Sequence, residues 1–147
     1  MALITLNKLA LPTGSVIQVV QAVSSTQVNV TSTSLASTGL SASITPSSTS
    51  NKILAMASFS AYQDANGRQS FFTWDRGGTL LNPASNGLNG IYASNSHIIV
   101  ENSLSYLDSP SSTSSVTYTI FAKTNTGTLQ INSQTDSTTI QLLEIVG

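Results

Sequence analysis

The sequence predicts an all-β fold: an antiparallel β-sandwich of jelly-roll type with about eight strands. Three observations lead there. Apolar and polar residues alternate with period two in one segment after another, the spacing of a half-buried strand. Turn-forming residues punctuate those segments at short intervals. The composition is rich in Thr, Val and Ile, which favour a pleated surface, and helical periodicity is hard to find. The 147 residues suit one domain and contain no cysteine, so the core must form without disulfides or thiolate metal sites.

Taken in order, Ser15 to Ser24 (SVIQVVQAVS) reads as a strand with apolar residues on both faces. Leu40, Ala42 and Ile44 alternate with Ser41, Ser43 and Thr45. In Lys52 to Tyr62 (KILAMASFSAY), Ile53, Ala55, Ala57, Phe59 and Ala61 share one face. Leu54, Met56 and Tyr62 lie on the other with Ser58 and Ser60, so this strand is expected buried on one side and half-buried on the other. Asp64-Ala65-Asn66-Gly67 carries the Asn-Gly hairpin signal, and Gln69 to Arg76 (QSFFTWDR) is expected as the partner strand.

Gly77-Gly78 turns the chain into Thr79-Leu80-Leu81, and Asn82 to Ser96 is expected as a long loop rich in Asn, Gly and Ser. Strand character resumes from Ile98 to Leu107. Ser115 to Lys123, Thr128 to Asn132 and Thr138 to Val146 follow, with Asn125-Thr126-Gly127 as the tight turn between the first two. Val116, Tyr118, Ile120 and Ala122 form one face. The sandwich domain thus spans 14–147. In residues 1–13, Leu3, Ile4, Leu6, Leu9 and Leu11 are apolar but lack a partner pattern. They form either an arm that docks on another surface or an edge strand.

One sequence occurs twice: Pro46-Ser47-Ser48-Thr49-Ser50 and Pro110-Ser111-Ser112-Thr113-Ser114, each just before a strand. Proline fixes φ and cannot donate to a ladder, which suits a corner between sheets. Hydroxyls satisfy local backbone groups in such corners. On these grounds alone, two similar loops in a Ser-rich chain would explain the repeat.

Charge is scarce. Asp, Glu, Lys and Arg make up 7% of the chain and the net charge is −1, where about 25% charged residues is usual. Roughly three residues in ten are Ser or Thr. The chain is nevertheless 39% hydrophobic, unlike a disordered segment, which combines low hydrophobicity with high charge. Five Lys and Arg cannot build the basic patch that nucleic acid requires, nor a polybasic membrane anchor. No apolar run approaches the ~20 residues of a membrane helix. The start lacks the pattern of a signal peptide, so synthesis in the cytoplasm is expected.

Catalytic and metal motifs are absent from the pattern. The single histidine, His97, has no nucleophile-elbow serine near it and no further ligands for zinc; it reads as the residue at the start of a strand. Asp64, Asp75, Glu101, Asp108, Asp136 and Glu144 are dispersed, at turns or outward strand positions, so paired-carboxylate chemistry is not expected. Glu144, within QLLEIV, reads as a solvated strand face or a contact with a neighbouring subunit. Asp64 to Gly67 lacks the closing Glu of a calcium loop. Arg76-Gly77-Gly78 is a single isolated RGG. The chain is expected to be no enzyme and to need no cofactor.

The run Gly14-Ser15-Val16-Ile17-Gln18-Val19-Val20-Gln21 resembles the opening of a family of small phage structural proteins, common among marine and freshwater phages including cyanophages. The resemblance continues through Leu40 to Leu54, with its Thr45-Pro46-Ser47-Ser48-Thr49-Ser50-Asn51-Lys52, through Asp75-Arg76-Gly77-Gly78-Thr79, and through Leu107-Asp108-Ser109-Pro110 to Tyr118. It closes on Glu144-Ile145-Val146-Gly147 and so covers 14–147. It turns the repeated PSSTS into a pair of family landmarks.

The resemblance implies a jelly-roll module that forms a homotrimer on the virion surface, and it carries over no catalytic residue. Two roles follow. A capsid decoration or cement protein would clamp neighbouring capsomers, with the arm residues Leu3, Ile4, Leu6, Leu9 and Leu11 reaching the major capsid protein. A tail-fibre or head-fibre tip would bind a host surface glycan or receptor. The few residues before the module are too short for a fibre shaft, which points to decoration. Asn86, Asn89 and Tyr92 in the long loop are the candidate host or subunit contacts. Trp74 is a second glycan candidate, although a tryptophan in a strand more often belongs to the core.

Overall fold

Period-two alternation becomes two antiparallel sheets packed face to face. The computed structural model describes residues 11–64, 66–82, 86–94 and 97–147. Its strands are β1 (Val16–Ser24), β2 (Val28–Val30), β3 (Ala36–Ile44), β4 (Lys52–Gln63), β5 (Arg68–Arg76), β6 (Thr79–Leu81), β7 (Asn89–Ala93), β8 (Ile98–Asp108), β9 (Val116–Thr124), β10 (Leu129–Ile131) and β11 (Thr138–Ile145). In the first sheet β1, β11 and β4 run side by side, β8 takes the far side of β4, and β10 and β2 continue the β11 and β1 positions. The second sheet has the order β3, β9, β5, with β6 and β7 both pairing the outer side of β5.

The core lies between the sheets. Ile53, Ala55, Ala57 and Phe59 of β4 face Phe72 and Trp74 of β5, all buried. The Phe59 and Phe72 rings meet edge to face with centroids 5.0 Å apart, a geometry that adds about 0.5–1.5 kcal/mol to the burial itself. From β9, Tyr118, Ile120 and Ala122 enter the same core. Trp74 is fully buried, so it is a core residue and no glycan platform.

Two turns carry the chain between the sheets, the first of them against the sequence expectation of a hairpin. β4 and β5 do not pair: the segment at Asp64 to Gly67 carries the chain from the first sheet to the second, and β5 pairs β9, β6 and β7 instead. Likewise Asn125-Thr126-Gly127 leads from β9 in the second sheet to β10 in the first. Both β4 and β5 have a strongly apolar face. Stacking those faces buries both, whereas a flat hairpin would leave them side by side. The Gly77-Gly78 turn is a true hairpin: Arg76 pairs Thr79, and both glycines have positive φ, 55° and 95°, the conformation that a two-residue turn joining right-twisted strands requires.

The expected loop 82–96 contains a strand. β7 within it pairs β5 from Arg68↔Ala93 to Phe72↔Asn89. Breaks in β1/β2 and β10/β11 fall together. Asn132, in the left-handed region, spans them by donating from Nδ2 to the carbonyls of Ser24 (2.9 Å) and Thr26 (3.1 Å), while Thr138 donates to its Oδ1.

Candidate functional site

The two outer faces of the sandwich differ in chemistry. On the first sheet, register pairs Val19 with Leu143, Leu143 with Leu54, and Leu54 with Leu107. Four apolar side chains therefore stand in one row across four strands, about 14 Å from end to end at the usual strand spacing. Val19 is 61% exposed and Leu107 51%, with Leu54 and Leu143 half-buried between them. Next to the row, Met56, Ser58, Ser103, Ser105, Thr139 and Gln141 border a hollow of about 280 Å³. On the second sheet the corresponding rows are hydroxylic: Ser41 pairs Thr119 and Ser43 pairs Thr117, with 2.7 Å between the Ser43 and Thr117 hydroxyl oxygens.

Of the arm candidates, Leu3, Ile4, Leu6 and Leu9 lie outside the described residues. Leu11 is half-buried beside Ile17 and Val146 at a hollow of about 480 Å³, with Ser47, Ser48 and Asn51 on its other side. The chain turns there through a Ser15 N–H to Pro12 carbonyl bond of 3.1 Å, and Gly14 N–H joins the Val146 carbonyl at 2.8 Å.

The contact-loop candidates separate. Asn86 and Tyr92 line one shallow concavity with Gln69, Phe71, Gly90 and Ile91. Tyr92 is 60% exposed. It stands opposite Gln69 across the β5–β7 ladder, and Gly90 stands opposite Phe71. Phe71 leans over that glycine: a Cβ at position 90 would lie 2.7 Å from Phe71 Cδ1. Lys123 Nζ sits over the same ring, 5.2 Å from its centroid. Asn89 is turned away from this group. Its Nδ2 donates to the Ser103 carbonyl at 3.2 Å and its Oδ1 accepts from Gly90 N–H at 2.7 Å, so it ties β7 to β8. Sequence reading missed Gln69 and Phe71. Their i, i+2 spacing places both on one strand face, but the strand that completes the concavity was read as loop.

The carboxylates also depart from expectation, since Asp75, Asp108 and Glu144 are buried. Glu144 is 0% exposed and is neither a solvated strand face nor a surface contact. It follows Ile140 and Leu142 on the inward face of β11. Its Oε1 accepts from Ser47 N–H (2.6 Å), Ser47 Oγ (2.8 Å) and Asn51 Nδ2 (2.7 Å). The Gln18 amide, oriented to satisfy its neighbours, donates to Oε2 at 3.0 Å and to the Thr45 carbonyl at 3.2 Å.

Asp108 accepts from Arg76 Nη1 at 2.9 and 2.8 Å and from the Tyr118 hydroxyl at 2.8 Å. Burial, then the bond to Asp108 and its negative charge, push the Tyr118 phenol far above its ordinary range, against the opposing pull of Arg76. Asp75 accepts the Gly78 N–H at 2.9 Å and so closes the hairpin. Each of the three has structural donors on its oxygens. His97 stands just before β8, where its Nδ1 meets the Tyr62 hydroxyl at 2.7 Å. Among the described residues no three His, Asp or Glu side chains gather as metal ligands, and no helix is long and apolar enough to cross a membrane.

Neither a scan against protein-family models nor a search of curated proteins finds a match to this chain.

Proposed function

We propose that this chain is a bacteriophage structural protein, a capsid decoration or cement protein that binds the outer capsid surface as a trimer and stabilises the shell. The observation that carries this reading is the in-register row Val19–Leu143–Leu54–Leu107 on an outer sheet face. Soluble monomers seldom align exposed apolar side chains in this way without a partner. The charge content is too low for electrostatic docking, so apolar burial must supply the association free energy. A protein that binds only the assembled shell stabilises it by mass action, by about 2.7 kcal/mol at a hundredfold excess over Kd.

The strand order supports a jelly roll. Counting β1/β2, β6/β7 and β10/β11 as single positions, the sheets read 1-8-3-6 and 2-7-4-5, the order of eight strands wound as two Greek keys. The resemblance over 14–147 to small phage structural proteins agrees with that architecture. The hollow at Leu11, open beside Ile17 and Val146, is a natural root for an arm whose Leu3, Ile4, Leu6 and Leu9 reach the major capsid protein.

The test is to mix purified protein with phage shells stripped of it and image them by cryo-electron microscopy. Trimeric density at regular positions across the icosahedral faces is expected, lost in the Leu54→Asp and Leu143→Asp variants. Density confined to the tail or a vertex, or none on the shell, would overturn the proposal.

A further inference from the structure

We infer that the concavity between β5 and β7 is a binding site for a neutral saccharide. The inference is independent of capsid docking, because this site lies on the second sheet and the apolar row on the first.

Four features converge there. Tyr92 offers an exposed ring. The face of an aromatic ring is electronegative and attracts the polarised C–H bonds on one side of a pyranose. Phe71 supplies an apolar wall, held in place by the absence of a side chain at Gly90 and by Lys123 beside the ring. Two amides, Gln69 and Asn86, border the same space, and each carries both donors and an acceptor, the pairing that vicinal hydroxyls need. Among the described residues, neither side-chain amide is taken up in a hydrogen bond to another residue; Gln69 makes its bonds to Asn125 through its backbone. Finally, the concavity measures about 340 Å³ and none of its lining residues is a carboxylate. That volume lies at the small end of ligand sites. It fits a few sugar units better than a folded partner, whose interface would need far more contiguous area.

The probes are malto-, cello-, manno- and chito-tetraose, each titrated to about 10 mM into the full chain and followed by amide NMR. At least one is expected to produce saturable shifts confined to Gln69, Phe71, Asn86 and Gly90 to Tyr92, with Kd of about 1 mM or tighter. Tyr92→Ala should weaken that binding at least tenfold, whereas Tyr92→Phe retains it. Phe71→Ala, which removes the apolar wall over Gly90, should weaken it severalfold. Unchanged far-ultraviolet circular dichroism and thermal midpoint in Tyr92→Ala would show that the fold is intact. Absence of shifts with every probe, shifts that map elsewhere, or binding unaffected by Tyr92→Ala would overturn the inference.

Discussion

The corners Pro46–Ser50 and Pro110–Ser114 have the same five residues in the same order and do different work. Both carry the chain between the two sheets, and at the same end of the sandwich: β3 pairs β9 through Ile44↔Val116, while β4 pairs β8 through Ile53↔Asp108. They share one local bond. Ser50 N–H donates to Ser48 Oγ at 3.3 Å, and Ser114 N–H to Ser112 Oγ at 3.0 Å. Beyond that they diverge. The first corner turns Ser47 inward onto Glu144 with both its backbone N–H and its hydroxyl. In the second, the equivalent Ser111 has φ of 51°, and the nearby carboxylate, Asp108, is held by Arg76 and Tyr118.

Glu144 and Asp108 occupy one inward row, on either side of Ile53. One gathers dipolar donors from Ser47, Asn51 and Gln18, the other a guanidinium and a phenol. A repeated motif therefore fixes a local turn, while its partner is chosen by whatever strand packs beneath it. A buried carboxylate needs several donors to offset desolvation, and the two corners reach that number by different means.

The largest effect should come from Glu144→Ala, which removes the acceptor shared by the Ser47 N–H, the Ser47 hydroxyl and the buried Asn51 amide. A loss of about 3–5 kcal/mol is expected, read from urea denaturation, and a loss below ~1 kcal/mol would mean that the first corner does not depend on its carboxylate. Arg76→Ala should cost about 2–3 kcal/mol by the same measurement. That figure is discounted from the full value for a broken buried pair because the Arg76 side chain is 26% exposed.

Tyr118→Phe removes one neutral donor from Asp108 and should cost about 1–2 kcal/mol at pH 7. It should also change the alkaline limb. The folded-state pKa of Tyr118 is raised, so its contribution is complete below the unfolded value of about 10 and falls as pH rises above it, by up to ~1.4 kcal/mol per pH unit. A pH series of urea midpoints in wild type and Tyr118→Phe should show a shallower loss in the variant above pH ~10.

The smallest effect sharpens the comparison most directly. Ser47→Ala removes a hydroxyl bonded to Glu144 and should cost about 1 kcal/mol, whereas Ser111→Ala should fall within ~0.5 kcal/mol of wild type. Equal costs at the two positions would mean that the shared sequence, and not the carboxylate beneath it, governs both corners.

Much of the strand inventory was legible because period-two alternation is local: the expected face of β4, Ile53 to Ala61, is the buried face. The inward position of Glu144 was also legible in principle, two residues beyond Leu142 on the same face. Glutamate is so rarely buried that residue type overrode position. β2 and β7 were not legible, because VNV and NGIYA are too short to show a period. The candidate concavity went with β7: Tyr92 and Asn86 stood out as residues, but without the strand nothing placed Gln69 and Phe71 opposite them. Asn66-Gly67 marked a turn correctly and its partner strand wrongly, and Asn125-Thr126-Gly127 marked a turn without showing that it changes sheets.

By itself the sequence determined an all-β chain, most of its strands, which face of each is apolar, and a surface too poor in charge for electrostatic recognition. All of these follow from residue type and spacing of two. Only the tertiary structure decided which strands share a sheet, that Glu144 lies inside, and that apolar side chains from four strands align on one outer face. Alternation specifies a face but not its partner. The partner is set by burying two apolar faces against each other at once, as Phe59 does against Phe72 across the core.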